Sequence, residues 1–132
     1  MFFITLDTDI PRDFMADVIF IMDSSADVSR ADYEKEKDFI ESLAGYLRLS
    51  SGRTRAAVLT YGYTTTLVAE YDSYETLQTF NSAVDGASYI GGTVVLLRVT
   101  SYLLAVSLNA LRSKFSFRKK PQYVNLFFAT RQ

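Results

Sequence analysis

Residues Asp17-Val18-Ile19-Phe20-Ile21-Met22 run directly into Asp23-Ser24-Ser25-Ala26-Asp27, and this junction decides the fold. The first six form a continuous, β-branched apolar run with no polar alternation. Such a run suits a strand covered on both faces, as in a parallel sheet. The next residues, through Ser29, are short and polar and read as a turn. From Arg30 to Leu49 the apolar spacing changes to that of a helix, with Tyr33, Lys37, Ile40, Leu43, Ala44 and Leu47 near one face. The aliphatic stem of Lys37 can lie along that face. Ser50–Gly52 is the expected stop.

Working outward, Arg55–Tyr61 reads as a second buried strand and Thr64–Tyr71 as a shorter, more polar one suited to an edge. Ser73–Val84 reads as a helix with a serine N-cap and Leu77, Phe80 and Val84 on one face. Gly91-Gly92-Thr93 is a tight turn into an apolar stretch, Val94 to Leu111. Arg98, Thr100, Ser101, Ser107 and Asn109 dilute that stretch, so it reads as a core helix and not as a membrane span. A basic loop, Arg112–Lys120, precedes Pro121, and Tyr123–Ala129 is the last strand. Strands alternating with helices predict an α/β fold with a mainly parallel central sheet.

Composition narrows the chemistry. The 132 residues, 48% of them hydrophobic, with ten Phe and nine Tyr, can build a single sizeable core. The formal net charge of -1 and the lack of a basic stripe interleaved with aromatics argue against a nucleic-acid partner. No Cys and no His are present. Disulfides, thiol catalysis and thiolate metal sites are therefore excluded, and the commonest general base is missing. A metal would have to be held by oxygen, which selects Mg²⁺, Ca²⁺ or Mn²⁺. The apolar segment Met1 to Leu6 is too short for a signal peptide.

In an open α/β sheet, ligands gather at the carboxyl ends of the strands. Three loops should meet there. In the first, Asp23, Ser25 and Asp27 present short oxygen-bearing side chains at alternate positions, a spacing that lets them address one hard cation. The second is Gly91-Gly92-Thr93, where glycines permit close backbone approach and Thr93 offers a hydroxyl. The third is Ala129-Thr130-Arg131-Gln132. Taken singly, these features have plainer readings. Asp23 and Asp27 suit the N-terminal end of the helix beginning near Arg30, and Gly91-Gly92 suits a simple turn with Thr93 as an N-cap.

The ordered set resembles the von Willebrand factor type A domain family. That family places Asp-x-Ser-x-Ser after an apolar strand and then a helix containing Phe-x-x-x-Lys-x-Phe. Here the equivalents are Asp23-Ser24-Ser25-Ala26-Asp27 and Tyr33-Glu34-Lys35-Glu36-Lys37-Asp38-Phe39. Its Arg-Val-Gly-Leu-Val-x-Tyr strand is matched by Arg55-Ala56-Ala57-Val58-Leu59-Thr60-Tyr61, and its Gly-Gly-Thr turn by Gly91-Gly92-Thr93. The resemblance implies a three-layer, Rossmann-like α/β/α domain over residues 16–132, after an N-terminal extension of residues 1–15. It also implies a non-enzymatic adhesion module with a metal-ion-dependent site. Asp23, Ser25 and Thr93 carry over as ligands of Mg²⁺ or Ca²⁺, and Asp27 replaces the second Ser. Arg131 stands where the family has a ligand Asp. Its guanidinium would oppose a divalent cation by roughly 4 kcal/mol per unit-charge pair at about 4 Å and an effective dielectric near 20. Paired with Asp23 or Asp27, it could take the cation's place. A degenerate site is the expectation.

The family's domain continues through two further strand–helix units after this position. The resemblance thus predicts a partial domain in which Tyr123–Ala129 forms a sheet edge prone to self-association. It further implies extracellular matrix proteins such as collagens as partners, and an extracellular setting within a larger secreted protein. An enzymatic alternative rests on Phe2-Phe3-Ile4-Thr5-Leu6-Asp7-Thr8-Asp9, which resembles the first motif of haloacid dehalogenase-type phosphatases with Asp7 as nucleophile and Asp9 as acid/base. Pro11 interrupts the helix expected next, and no later acidic pair completes a Mg²⁺ site. A phosphorylatable receiver domain built on Asp23 lacks its acidic pair and late Lys.

Overall fold

The structure is a computed structural model, and it describes residues 15–49, 54–94, 99–101, 104–105 and the backbone of 123–129. Strand β1 (Ala16–Asp23) is central, flanked in parallel by β2 (Arg55–Tyr61) and β4 (Tyr123–Ala129). Strand β3 (Thr65–Ala69) pairs antiparallel with β2, giving the order β3-β2-β1-β4. The parallel character expected from the unbroken apolar runs is thus present, and the polar third strand lies at an edge.

Burial explains the runs. Val18, Phe20 and Met22 face one side of β1 and join a core with Tyr33, Ile40 and Ala44 of helix α1 (Arg30–Tyr46) and Phe80 and Val84 of helix α2 (Leu77–Asp85). Ile19 and Ile21 face the other side and cluster with Ala57, Leu59 and Tyr71. Both sets are almost fully buried, so neither face of the strand tolerates an unpaired polar side chain. Each large apolar side chain taken from water this way stabilises the fold by roughly 1.5–3 kcal/mol.

Helix α1 begins at Ser29, whose Oγ accepts from the Asp32 amide at 3.1 Å. The N-cap is therefore a serine, and neither Asp23 nor Asp27 fills that role. The helix ends at Tyr46, earlier than the periodicity suggests, because Arg48 turns into the left-handed region (φ 53°). Arg48 N–H then donates to Gly45 O and Leu49 N–H to Ala44 O, closing the last turn before Ser50–Gly52 is reached. The Lys37 stem is buried as expected, and Nζ reaches Asp85 O at 3.0 Å and Glu34 at 3.2 Å.

Helix α2 starts later than Ser73. Thr76 is its N-cap and forms a reciprocal capping box with Thr79. Ser73 Oγ instead closes a turn against Glu70, donating to its carbonyl at 2.9 Å. Between turn and helix, Tyr74 donates its hydroxyl to Ala56 O at 2.8 Å and also accepts from the Ala56 amide.

At the end of the sheet away from the loops, register places Arg55 opposite Asp17. Arg55 donates Nε–H and Nη2–H to the two carboxylate oxygens of Asp17, both at 2.9 Å, and Nη1–H to Asp72 at 2.8 Å. Asp17 is completely buried, and this forked pairing satisfies it.

Most of the Val94–Leu111 stretch lies outside the described residues, as do Asp7, Asp9 and Arg131. Residues 99–101 and 104–105 are helical. Among the described residues, no helix is long and apolar enough to cross a membrane.

Candidate metal centre

Asp23 ends β1 beside Tyr61, the last residue of β2, so the first loop starts at the carboxyl rim of the sheet. One side-chain oxygen, Asp23 Oδ1, accepts from the Ser25 amide at 2.9 Å. A relay fixes Ser24 from below. Tyr33 donates to Thr60 Oγ1 at 3.0 Å, Thr60 to Ser24 Oγ at 3.1 Å, and Ser24 to Tyr61 O at 2.9 Å. Ser24 N–H also donates to Tyr61 O at 2.8 Å.

The second loop is tied directly to the first. Gly91 N–H donates to Ser24 O at 2.6 Å, and Ala26 N–H donates to Gly92 O at 2.9 Å. Both glycines sit at positive φ, 72° and 74°, where other residues are strained. Tyr63 N–H donates to Gly91 O at 2.9 Å, so the β2–β3 turn joins the same rim. Tyr89 donates its hydroxyl to Ser25 O and Val28 O, and the Arg30 guanidinium stacks 4.8 Å from its ring centroid.

Sequence reasoning therefore places Asp23, Ser25 and the Gly91-Gly92-Thr93 turn at one rim, and the structure brings those two loops together. Thr93 follows the glycine bonded to Ala26 and is exposed; Asp27 is exposed on the turn closed by Val28 N–H and Ser25 O. Arg131, two residues beyond β4, is not among the described residues.

Three further groups belong to this rim and were not among the expected ligands. Glu36 of α1 accepts from the Asp23 amide at 3.0 Å. Burial first, then the nearby charges of Asp23 and Asp32, push its carboxyl up to about 8, against the stabilising bond from the Asp23 amide. Tyr61 is raised well above its ordinary value by burial and by the adjacent Asp23 carboxylate, with which it also hydrogen-bonds. Tyr89 is the third. A signal for Glu36 existed in the sequence: it lies three residues after Tyr33 and four before Ile40, both core positions.

The donors fit a hard cation. Ser25 is 2% exposed and its Oγ has no hydrogen-bond partner among the described residues. An orphaned buried hydroxyl costs roughly 1–3 kcal/mol, which a coordinated cation would offset. No cluster of three or more Asp or Glu side chains suited to a metal occurs among the described residues. A cation here would be held by hydroxyls and carboxylates together, as Mg²⁺ and Ca²⁺ accept.

Comparison with known proteins agrees with this architecture. The von Willebrand factor type A domain pattern matches residues 17–128. Mouse von Willebrand factor A domain-containing protein 2 is 30% identical over 76 residues, 58% of this chain and 10% of that protein. Rat von Willebrand factor is 27% identical over 81 residues, 61% of this chain and 19% of its own length. The chain thus spans a fifth or less of these relatives. Among solved structures, proximal thread matrix protein 1 from the mussel byssus superposes with a TM-score of 0.70 at 15% identity, covering 88% of this chain and 30% of that one. A form of the same protein with a zinc-occupied MIDAS motif superposes with a TM-score of 0.61 at 20% identity, covering 88% of this chain and 29% of that one. At these identities the superpositions establish the fold, and the sequence match over residues 17–128 establishes the lineage: the chain belongs to the von Willebrand factor type A domain family.

Proposed function

We propose that this chain is a non-enzymatic protein-interaction module of the extracellular matrix or cell surface, and that it docks partners on the carboxyl rim of its sheet. The observation that supports this reading is the locked pair of loops: Gly91 and Gly92 bonded to Ser24 and Ala26, with the buried, unpartnered Ser25 hydroxyl between Asp23 and the turn. The relatives carry the setting, since one neighbour is by name a matrix protein. Collagens and other matrix proteins are the proposed partner class.

Asp23, Ser25 and Thr93 are the proposed holders of Mg²⁺ or Ca²⁺, with Asp27 at the rim. A bound divalent cation would supply a position for a carboxylate oxygen of the partner. Arg131, in place of the family's Asp, weakens that binding by charge repulsion. The site is therefore a degenerate one, with affinity for Mg²⁺ or Ca²⁺ weaker than about 100 μM, the weak end of protein calcium sites. Binding of the chain to immobilised collagens and other matrix proteins, with Mg²⁺ and with chelator, tests the reading. Binding that falls in Asp23→Ala supports it. Binding to none of them, or binding indifferent to Asp23→Ala, overturns it.

A further inference from the structure

We propose that Glu36 is a cation-binding carboxylate of this site, acting beside Asp23 and Ser25. The proposal rests on reading the Asp23 loop as a divalent-cation site, and it assigns a donor from helix α1 that the loop motif does not contain.

Three observations carry it. The first is position: Glu36 Oε2 accepts from the Asp23 amide at 3.0 Å, which brings a second carboxylate to the strand end where Asp23 stands.

The second is charge. Glu36 and Asp23 are close enough to repel, and neither has a basic partner among the described residues. The neighbouring cations of α1 are committed elsewhere. Lys35 pairs with Asp32 at 3.1 Å, Lys37 with Glu34 and the Asp85 carbonyl, and Arg30 stacks on Tyr89. Two carboxyl groups this close cannot both ionise readily without a counter-charge, and a divalent cation would supply one.

The third is the Ser25 hydroxyl, 2% exposed and without a partner, on the residue whose own amide holds Asp23 Oδ1. Two carboxylates and a hydroxyl are the donor types a hard cation takes.

The discriminating variant is Glu36→Gln. A glutamine oxygen can still accept from the Asp23 amide, so a purely structural role for Glu36 leaves cation binding unchanged. Mn²⁺ titrated calorimetrically into the full chain should bind wild type, about tenfold or more weaker in Glu36→Gln. Asp23→Asn and Ser25→Ala report on the site itself. If both of these weaken Mn²⁺ and Glu36→Gln does not, the Glu36 assignment is overturned and the site reading stands. If all variants bind as wild type does, or wild type binds no Mn²⁺ up to about 10 mM, both fall. Should Glu36→Gln fail to fold, paramagnetic broadening decides. Mn²⁺ must broaden the Glu36 carboxyl ¹³C signal of wild type more than those of Glu34 and Asp38; equal broadening overturns the assignment.

Discussion

The Tyr89 hydroxyl lies 2.9 Å from the carbonyl oxygen of Ser25 and 2.7 Å from that of Val28, a two-pronged clamp across the turn that carries Asp27. The ring that holds this hydroxyl is itself packed edge-on against Tyr33, with centroids 5.7 Å apart. The shape of the loop after β1 therefore depends on a residue more than sixty positions away in sequence. Tyr89→Phe keeps the ring contacts and deletes only the clamp. Chemical denaturation should show a loss of about 0.5–1.5 kcal/mol, since Val28 O loses its hydroxyl donor while Ser25 O keeps the Val28 amide. A loss below about 0.5 kcal/mol would mean that water replaces the hydroxyl without penalty.

Gly92 is held at φ 74°, and a Cβ placed there would meet Tyr63 Cβ at 2.7 Å. Gly92→Ala should lower stability by about 1–2 kcal/mol from the left-handed backbone alone, with crowding against Tyr63 added. The same change should weaken cation binding, because the Gly92 carbonyl bonded to Ala26 must shift. Thermal unfolding and calorimetry on one preparation read both effects.

Asp17 and Arg55 test a different part of the molecule. Asp17→Asn leaves Arg55 buried without its full partner, and breaking a buried pair of this kind costs roughly 3–5 kcal/mol. The rim is at the opposite end of β1, so cation affinity of the folded fraction should be unchanged. A variant with near wild-type stability would show that Asp72, 2.8 Å from Arg55, suffices as its counter-charge.

Glu36 makes stability depend on pH in a predictable direction. Its carboxyl is raised from 4.5 to about 8, chiefly by burial, so between these values the folded state binds more protons than the unfolded. Stability in cation-free buffer with chelator should therefore fall as pH rises from 4.5 towards 8, by up to about 1.4 kcal/mol per pH unit. Below that window the penalty is absent. Glu36→Gln should flatten this slope, and an unchanged slope in the variant would assign it to another group.

The proposed site owes its weak cation binding to the charge of Arg131. Arg131→Asp should tighten Mg²⁺ or Ca²⁺ binding by about tenfold or more, since it removes a repulsive charge and adds a donor. Wild-type affinity already tighter than about 100 μM would contradict the weakening ascribed to Arg131.

Much of the architecture was legible from residue order alone. The apolar runs at Val18–Met22 and Ala56–Leu59 mark buried strands because a strand covered on both faces is apolar at successive positions, which is a local signature. Tyr123–Ala129, apolar but for Asn125, was readable as a strand on the same pattern. The face of α1 was readable for the same reason: helical geometry fixes which residues meet the core. Helix ends were less readable. Serine and threonine caps compete within a few residues, and at α2 the reciprocal Thr76–Thr79 pair prevails over Ser73, whose hydroxyl is used by a turn.

By itself the sequence determined the strands, the inward face of α1 and the loops that carry oxygen donors, because each is written in spacing along one segment. Only the tertiary structure decided that Glu36 faces Asp23, that Tyr89 clamps the turn, and that Arg55 neutralises Asp17. Those partners lie 13, 64 and 38 residues apart. Their contacts depend on sheet register and on where each helix comes to rest, and no local pattern of side chains encodes either.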